Sequence, residues 1–224
     1  MRISAAVSGA LAVLLLVLVA VGWSPLLSLD REVAEALHRS AVAEPGFTQL
    51  NRILTDWIWD PWTMRALAAV AAGWLWWRRE RQLALWVVGT SLVAVGLQQG
   101  LKGAVGRPRP SWPDPVDSAD YTAFPSGHAM TAMVTCGLLL WVLALHWREG
   151  RRGWGTIAGV AVVSVLGVGW TRVYLGVHWP SDVVGGWLLG WTCAALAILT
   201  YRAAERRRPP GPGRANGRRM EKKR

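Results

Sequence analysis

The stretch TRVYLGVHWPSD, residues 171–182, links one apolar segment to the next and carries three side chains with complementary chemistry. Arg172 is a permanent cation whose planar fork of donors fits the oxygens of a phosphate. His178 has a ring nitrogen that can act as a nucleophile when its other nitrogen is held in place. Asp182 follows four residues later, so a helix that begins near Pro180 would put its carboxylate within reach of that imidazole.

Two upstream segments add the same kind of chemistry: KGAVGRPRP at 102–110 and PSGH at 125–128. Lys102 and Arg109 of the first segment are further cations for phosphate oxygens. In the second segment, Ser126 is expected to be the N-cap of a helix, whose free N–H groups and positive end would bind an anion. Gly127 would let the backbone approach that anion closely. The three segments together predict one phosphate-handling site.

The composition is that of a membrane protein. Hydrophobic residues make up 52% of the 224 residues and charged residues only 17%, whereas a soluble domain would carry more charge and shorter apolar runs. Sixteen tryptophans stand against two phenylalanines, and many lie at the ends of apolar runs, where an amphipathic ring suits the headgroup layer. Cys136 and Cys193 lie inside apolar runs, so we expect neither a disulfide nor a metal role for them.

Six apolar segments predict an all-α bundle of six transmembrane helices in one domain, residues 1–201. They cover residues 4–28, 60–77, 83–101, 125–147, 154–171 and 183–201. We interpret the first as a retained helix rather than a cleaved signal peptide, because it exceeds a usual signal h-region and no small-x-small site follows. Glycines at four-residue spacing favour close helix packing at Gly96/Gly100, Gly155/Gly159 and Gly186/Gly190.

Two polar segments lie outside these spans. In residues 30–56, the apolar residues Val33, Leu37 and Val42 predict a short amphipathic helix on the membrane surface, before Pro45. Residues 202–224 hold ten of the 25 Lys and Arg residues and are rich in Pro and Gly, which predicts a basic disordered cytoplasmic tail. We interpret this tail as an anchor on anionic lipid and expect no binding to nucleic acid.

The distribution of Lys and Arg predicts that both termini lie in the cytoplasm. With this orientation, seventeen of the 25 cationic residues fall on the cytoplasmic side and eight on the other. Four of those eight belong to the predicted site or its edge, namely Lys102, Arg107, Arg109 and Arg172. All three motif segments then lie on the extracytoplasmic side. We therefore expect a multi-pass protein of a bacterial-type plasma membrane with its site facing outside.

Two histidines suit the two chemical roles of phosphate-ester cleavage. His178, paired with Asp182, is the predicted nucleophile, because a carboxylate fixes the tautomer and stabilises the imidazolium. His128, in the first turn of its helix, is the predicted general acid for the leaving group. The predicted phosphate-binding groups are Lys102, Arg109, Arg172 and the backbone at Ser126 and Gly127. Three acids of the intervening loop are interpreted as solvated charges rather than as a metal site: Asp114, Asp117 and Asp120.

The three segments match a known set of motifs. Lys102 to Pro110 fits K-x6-R-P, residues 125–128 fit P-S-G-H, and the first stretch fits R-x5-H-x3-D. On these motifs, over about residues 60–201, the chain resembles the type 2 phosphatidic acid phosphatase (PAP2) family of integral membrane phosphatases, whose fold is shared with vanadium haloperoxidases. One position departs from the family pattern, because the third motif usually begins with Ser and Thr171 stands there. The retained hydroxyl is expected to have little effect.

The resemblance implies a metal-independent reaction, without a cofactor, through a phosphohistidine on His178. It also implies lipid substrates such as undecaprenyl diphosphate, phosphatidylglycerol phosphate or phosphatidic acid, whose tails would enter through a lateral opening between helices. Two alternatives stay open: a phosphotransferase that passes the same phosphoryl group to a lipid hydroxyl, and a non-catalytic protein that binds or flips lipids. The second would be expected to have lost a catalytic histidine, and both His128 and His178 are present.

Overall fold

The computed structural model describes residues 1–146 and 153–207, and every regular element in those residues is helical. The all-α prediction is therefore confirmed for this part of the chain. Its α-helices follow in the order α1 (Arg2–Ala20), α2 (Ser24–Ala43), α3 (Pro45–Ile53), α4 (Pro61–Trp77), α5 (Arg81–Val105), α6 (Gly127–His146), α7 (Trp154–Tyr174) and α8 (Pro180–Arg207). A π-helical turn, Leu54–Ile58, lies between α3 and α4.

The predicted count of six membrane spans is not confirmed. Within the described ranges, five helices are long and apolar enough to cross a membrane, namely α1, α5, α6, α7 and α8. The predicted second span, residues 60–77, is present as α4, but this helix has only 17 residues. At 1.5 Å per residue it is about 25 Å long, shorter than the roughly 30 Å of a bilayer's hydrocarbon core.

The N-terminal segment is divided differently from the prediction. The first span was expected over residues 4–28, but α1 ends at Ala20 and Gly22 turns the chain at a φ of +68°. The amphipathic helix expected in residues 30–56 is confirmed as α2, although it begins earlier and buries a different stripe: Asp30, Ala34, His38 and Ala41. Of the apolar residues used to predict it, Val42 is exposed. The helix α2 packs across α7 and α8.

The helices α6 and α8 form the centre of the bundle. A Cβ at Gly186 would lie 2.7 Å from the carbonyl oxygen of Ser126, and one at Gly190 would lie 2.8 Å from that of Met130. These two glycines therefore let the backbones touch, as the four-residue spacing predicted. The prediction is wrong for the other two pairs, Gly96/Gly100 and Gly155/Gly159, which have no such neighbour within 4 Å.

Antiparallel packing brings the three motif segments to one end of the bundle. Lys102 lies in the last turn of α5, PSGH leads into α6, Arg172 lies in the last turn of α7, and Asp182 lies in the first turn of α8. At the other end, α8 continues to Arg207, so residues 202–207 are helical rather than part of a disordered tail. The rest of the predicted tail, residues 208–224, lies outside the described residues.

Candidate active site

The end of α7 explains the spacing between Arg172 and His178. The N–H of Gly176 donates to the carbonyl of Val173 (2.9 Å), and that of Val177 donates to the carbonyl of Arg172 (3.2 Å), which is a Schellman helix end. Gly176 has a φ of +68°, and a Cβ there would lie 2.4 Å from Trp112 Nε1. The N–H of His178 then donates to the same Arg172 carbonyl at 3.1 Å. The turn therefore holds the imidazole beside the end of the helix that carries the guanidinium.

The start of α8 supplies the carboxylate. Pro180 is its first residue, and Asp182 Oδ2 accepts from the backbone N–H of Trp179 at 2.9 Å, as an acid at the third helical position can do. The same oxygen lies 3.3 Å from Nδ1 of His178. The predicted pairing at i, i+4 is therefore present. Because the carboxylate accepts a hydrogen bond from Nδ1–H, the proton of the neutral ring lies on Nδ1 and the lone pair on Nε2.

The environment of His178 keeps its ring uncharged. The residue is buried, and burial lowers the pKa of the imidazole well below its ordinary value. The cations of Arg109, Arg172 and Lys102 act in the same direction. A neutral imidazole with a free lone pair is the form that can attack an electrophile.

The second motif is tied directly to the third. The backbone N–H of Ser126 donates to the carbonyl of Asp182 at 2.9 Å, so α6 and α8 begin side by side. Ser126 lies at the N-cap position, but the expected capping bond is absent, since its buried Oγ has no partner among the described residues. His128 is half-buried and lies within electrostatic range of Arg172, His178, Arg109 and Lys102.

The cations of the first motif donate hydrogen bonds to backbone carbonyls, most of them in the loop before α6. Arg109 donates through Nε to Tyr121 O (2.8 Å), through Nη2 to Asp120 O (3.0 Å) and through Nη1 to Val177 O (2.6 Å). Its Nη1 also lies 3.1 Å from Nε2 of His178. Lys102 Nζ donates to the carbonyl of Thr122, the next residue of the same loop. Burial lowers the pKa of Arg109, although Asp182, Asp120 and Asp117 oppose that shift.

Arg172 is the most enclosed of the three predicted phosphate-binding cations. Its Nη1 donates to Thr55 Oγ1 at 3.3 Å, and its buried Nε has no hydrogen-bond partner within residues 1–146 and 153–207. Asp117 Oδ2 lies 3.9 Å from Nη1, with the Asp117 side chain only 19% exposed. The prediction of a solvated Asp117 is therefore wrong, whereas Asp114 and Asp120 are exposed as expected. In the described residues, no group of three or more His, Cys, Asp or Glu side chains is arranged to hold a metal ion.

Three residues without a predicted role extend the site on the Oδ1 side of Asp182: Arg107, Ser181 and Asp30. Arg107, which the charge count placed only at its edge, donates to Asp182 Oδ1 at 2.6 Å and to Ser181 Oγ at 2.7 Å. Its other arm donates to Asp30 Oδ2 of α2 at 2.7 Å. One signal could have revealed Asp30, since an acid on the buried stripe of an amphipathic helix needs a buried partner.

A small cavity lies beside the second motif, between α4, α5 and α6. A Cβ at Gly127 would lie 2.8 Å from Gln98 Nε2, so the Gln98 amide touches this part of the motif. The polar side chains that line the cavity are Arg65, Ser91, Gln98, Thr131 and Thr135. Polar groups therefore continue from the predicted phosphate-binding segment toward the middle of the bundle.

A family model described as the PAP2 superfamily matches residues 83–206, more than half of the chain, and includes all three motif segments. The chain belongs to the PAP2 superfamily. The expected class, the PAP2-type phosphatases, is thereby confirmed at the level of the family.

The PAP2 relatives include enzymes named for lipid phosphates. An undecaprenyl-diphosphatase of Sulfolobus acidocaldarius is 30% identical over 155 residues, which cover 66% of this chain and 66% of the relative, slightly less than two thirds. Phosphatidylglycerophosphatase B of Bacillus subtilis is 31% identical over 163 residues, which cover 70% of this chain and 77% of the relative. A lipid A 1-phosphatase of Rhizobium etli is 33% identical over 122 residues, which cover 50% of this chain and 48% of the relative.

The fold agrees with a solved PAP2 structure. The crystal structure of a transmembrane PAP2-type phosphatidylglycerolphosphate phosphatase from Bacillus subtilis matches with a TM-score of 0.69 at 23% identity. The match covers 89% of this chain and 98% of that chain, which shows that the helices share the PAP2 arrangement. With five helices in its described residues that are long and apolar enough to cross a membrane, the chain is an integral membrane protein.

Proposed function

We propose that the protein is a membrane lipid phosphatase that hydrolyses a lipid phosphate or diphosphate through a phosphohistidine on His178. The observation that carries this proposal is the setting of the imidazole. Asp182 Oδ2 lies 3.3 Å from its Nδ1, and Arg109 Nη1 lies 3.1 Å from its Nε2. One nitrogen is therefore held by a carboxylate, while the other faces a cation suited to phosphate.

In the first step, Nε2 of His178 attacks phosphorus in line with the leaving oxygen, so that a P–N bond forms as the P–O bond breaks. His128 gives its proton to the leaving oxygen, and the negative charge of the bound phosphate favours the protonated form of His128 beforehand. In the second step, the neutral His128 takes a proton from water. The water oxygen attacks phosphorus, the P–N bond breaks, and phosphate leaves. Asp182 stabilises the ring while it carries positive charge.

The equatorial oxygens of the phosphate are held by Lys102, Arg109 and Arg172. In the resting protein, Lys102 and Arg109 donate to carbonyls of residues 120–122, which a phosphate oxygen can replace. Two buried groups without partners in the described chain support the same reading: Ser126 Oγ and Arg172 Nε. Both are donors that a bound phosphate would satisfy.

A six-span topology with both termini in the cytoplasm supports an outward-facing site. Asp60, which caps α4, lies within electrostatic range of Arg172, and the Trp74 ring near the end of α4 lies 4.9 Å from that of His146 at the end of α6. The helix α4 therefore connects the same two ends of the bundle as α6. Its 17 residues are shorter than the hydrocarbon core of roughly 30 Å, but they lie at the lower end of the length range of transmembrane helices. With α4 included, the excess of Lys and Arg falls on the side of both termini.

The lipid phosphatases among the relatives support the proposed substrate class. The relatives are named for undecaprenyl diphosphate, phosphatidylglycerophosphate and lipid A, all lipids with a terminal phosphate. We assign the substrate to the lipid phosphates and diphosphates, with the tail entering laterally.

The test is phosphate release by the full-length protein in detergent, with EDTA present. Undecaprenyl diphosphate, phosphatidylglycerol phosphate and phosphatidic acid are offered separately, and their rate order identifies the substrate. We expect release to survive EDTA and to fall at least about a thousandfold in His178→Ala. His146→Gln, at the opposite end of the bundle, serves as the control and should keep the wild-type rate. An alkaline quench should trap phosphorylated wild-type protein and no phosphorylated His178→Ala.

Release that requires a metal, or that persists without His178, would contradict this mechanism. Addition of an acceptor lipid separates hydrolysis from phosphotransfer, because a transferase yields a new phospholipid instead of free phosphate. Absence of both products with every lipid would leave a non-catalytic lipid-binding protein.

A further inference from the structure

A buried chain of ion pairs runs from α2 to the imidazole. Asp30 Oδ2 accepts from Arg107 Nη2 at 2.7 Å, and Arg107 Nη1 donates to Asp182 Oδ1 at 2.6 Å. The other oxygen of Asp182 lies 3.3 Å from His178 Nδ1. Ser181 closes the group, since its N–H donates to Asp30 Oδ1 at 2.8 Å and its hydroxyl donates to Asp30 Oδ2.

The burial of this chain makes its charge balance important. Asp30 is 2% exposed, Arg107 is 9% exposed and Asp182 is fully buried. Charges in such a place are weakly screened, and removal of one partner leaves another uncompensated. Asp182 alone with Arg107 would form a neutral pair, whose field at the imidazole is small. Two carboxylates around one guanidinium leave one net negative charge in the group.

We propose that Asp30 is a positioning residue for the phosphatase reaction, acting through Arg107. It fixes the guanidinium that holds Asp182, and it balances that guanidinium so that the negative charge of Asp182 stays available to His178. The imidazole needs this charge when it becomes positive on forming the P–N bond. The inference rests on the proposed function. It assigns a role to Asp30, which belongs to residues 30–56 and lies outside all three motif segments.

The experiment compares Asp30→Asn with wild type in the full-length protein in detergent, on the lipid phosphate that wild type cleaves fastest. The amide keeps the size and one acceptor of Asp30 but removes its charge, so Arg107 then neutralises Asp182. We expect kcat to fall about tenfold to a hundredfold, with KM changed less than about twofold. The acid limb of kcat/KM should move to lower pH, because a weaker negative field makes the imidazole less basic.

A charge-balance rescue separates this role from a merely structural one. In Asp30→Asn/Arg107→Met, the negative charge of Asp182 is again uncompensated, so kcat should recover at least about fivefold relative to Asp30→Asn. A structural role predicts further loss instead. Glu35→Gln, an exposed acid on the same helix, is the matched control and should behave like wild type. Thermal unfolding of each variant shows that the compared proteins are folded.

Two results would overturn the inference while wild type still releases phosphate: a kcat of Asp30→Asn within twofold of wild type, or a double variant less active than Asp30→Asn. Should Asp30→Asn not fold, the double variant decides alone, because it removes the charges of Asp30 and Arg107 together and leaves that of Asp182. A rate within about twentyfold of wild type then supports the inference, and a lower rate contradicts it. Failure of the proposed function is a different outcome, since wild type itself would then release no phosphate.

Discussion

The carboxylate of Asp117 lies 3.9 Å from Nη1 of Arg172, so an acid from the loop before α6 occupies the surroundings of a predicted phosphate-binding cation. A phosphate that approaches Arg172 meets this negative charge. The two anions compete for one guanidinium, and Asp56 also lies within electrostatic range of Arg172. The contact therefore opposes the proposed binding of phosphate at Arg172.

Replacement of Asp117 by Asn should tighten the binding of phosphate. The change removes the competing charge and keeps the side-chain volume, so the inhibition constant of inorganic phosphate should fall about threefold to tenfold. The inhibition constant is measured from the inhibition of lipid hydrolysis by added phosphate. Asp114→Asn, an exposed acid of the same loop, should leave the constant unchanged. Weaker inhibition in Asp117→Asn would show that the carboxylate orients Arg172 instead of competing for it.

The buried imidazole of His178 should make the protein less stable in acid. Burial holds its pKa well below the unfolded value of about 6.5. As pH falls through about 6.5, the unfolded state binds a proton that the native state does not, so the free energy of unfolding decreases, by at most about 1.4 kcal/mol per pH unit. Above that pH, the contribution is constant.

Thermal unfolding of wild type and His178→Gln between pH 7.5 and 5 measures this effect. The midpoint of wild type should fall relative to that of the variant below about pH 6.5. His38, whose pKa burial also lowers, is present in both proteins and cancels in the comparison. A constant difference between the two midpoints over the whole range would mean that His178 is not held neutral.

A methyl group at Gly186 should separate α6 from α8. The new Cβ would lie 2.7 Å from Ser126 O and 3.0 Å from Ala129 Cβ, where no flexible side chain can move aside. We expect Gly186→Ala to cost about 1–3 kcal/mol of stability and to reduce phosphate release at least about tenfold. Gly96→Ala, in α5, meets nothing within 4 Å and should be neutral or slightly stabilising. Equal stability of the two variants would contradict this account of the packing.

We predict that lysine cannot replace Arg109 without loss of activity. The guanidinium bonds the carbonyls of Asp120, Tyr121 and Val177 through three different nitrogens, a geometry that a single ammonium cannot reproduce. We expect Arg109→Lys to lower kcat/KM about tenfold to a hundredfold, mainly through KM. Arg31→Lys, at an exposed position of α2, is the matched control. Wild-type kinetics in Arg109→Lys would show that only the positive charge of Arg109 matters and not the geometry of its guanidinium.

The sequence predicted those parts of the site that depend on helix ends. The spacing of Arg172, His178 and Asp182 follows from one Schellman turn and one helix start, both of which are local and have residue signatures. The pairing of Asp30 with Arg107 and Ser181 joins residues 77 and 151 positions apart, and no local pattern encodes which buried acid meets which cation. The motifs therefore predicted the residues around His178, but they did not predict that Asp30 pairs with Arg107 and Ser181.

The glycine pairs show the same limit in packing. Three pairs have identical four-residue spacing, yet only Gly186/Gly190 contacts another backbone. Spacing reveals that a helix face is small but not which neighbour faces it. The end of the first helix was also misplaced, because residues 24–28 are apolar enough to extend a span, while the turn at Gly22 separates them from α1.

The bond from Ser126 N–H to the carbonyl of Asp182 limits where a lipid could reach the proposed phosphate site. Below this bond, Gly186 and Gly190 hold α8 directly on the backbone of α6. The starts of these two helices, which carry His128 and Asp182, therefore form one rigid block that cannot open without losing backbone contacts. Under the proposed function, the opening that admits a lipid is therefore expected in the elements around this block and not between α6 and α8.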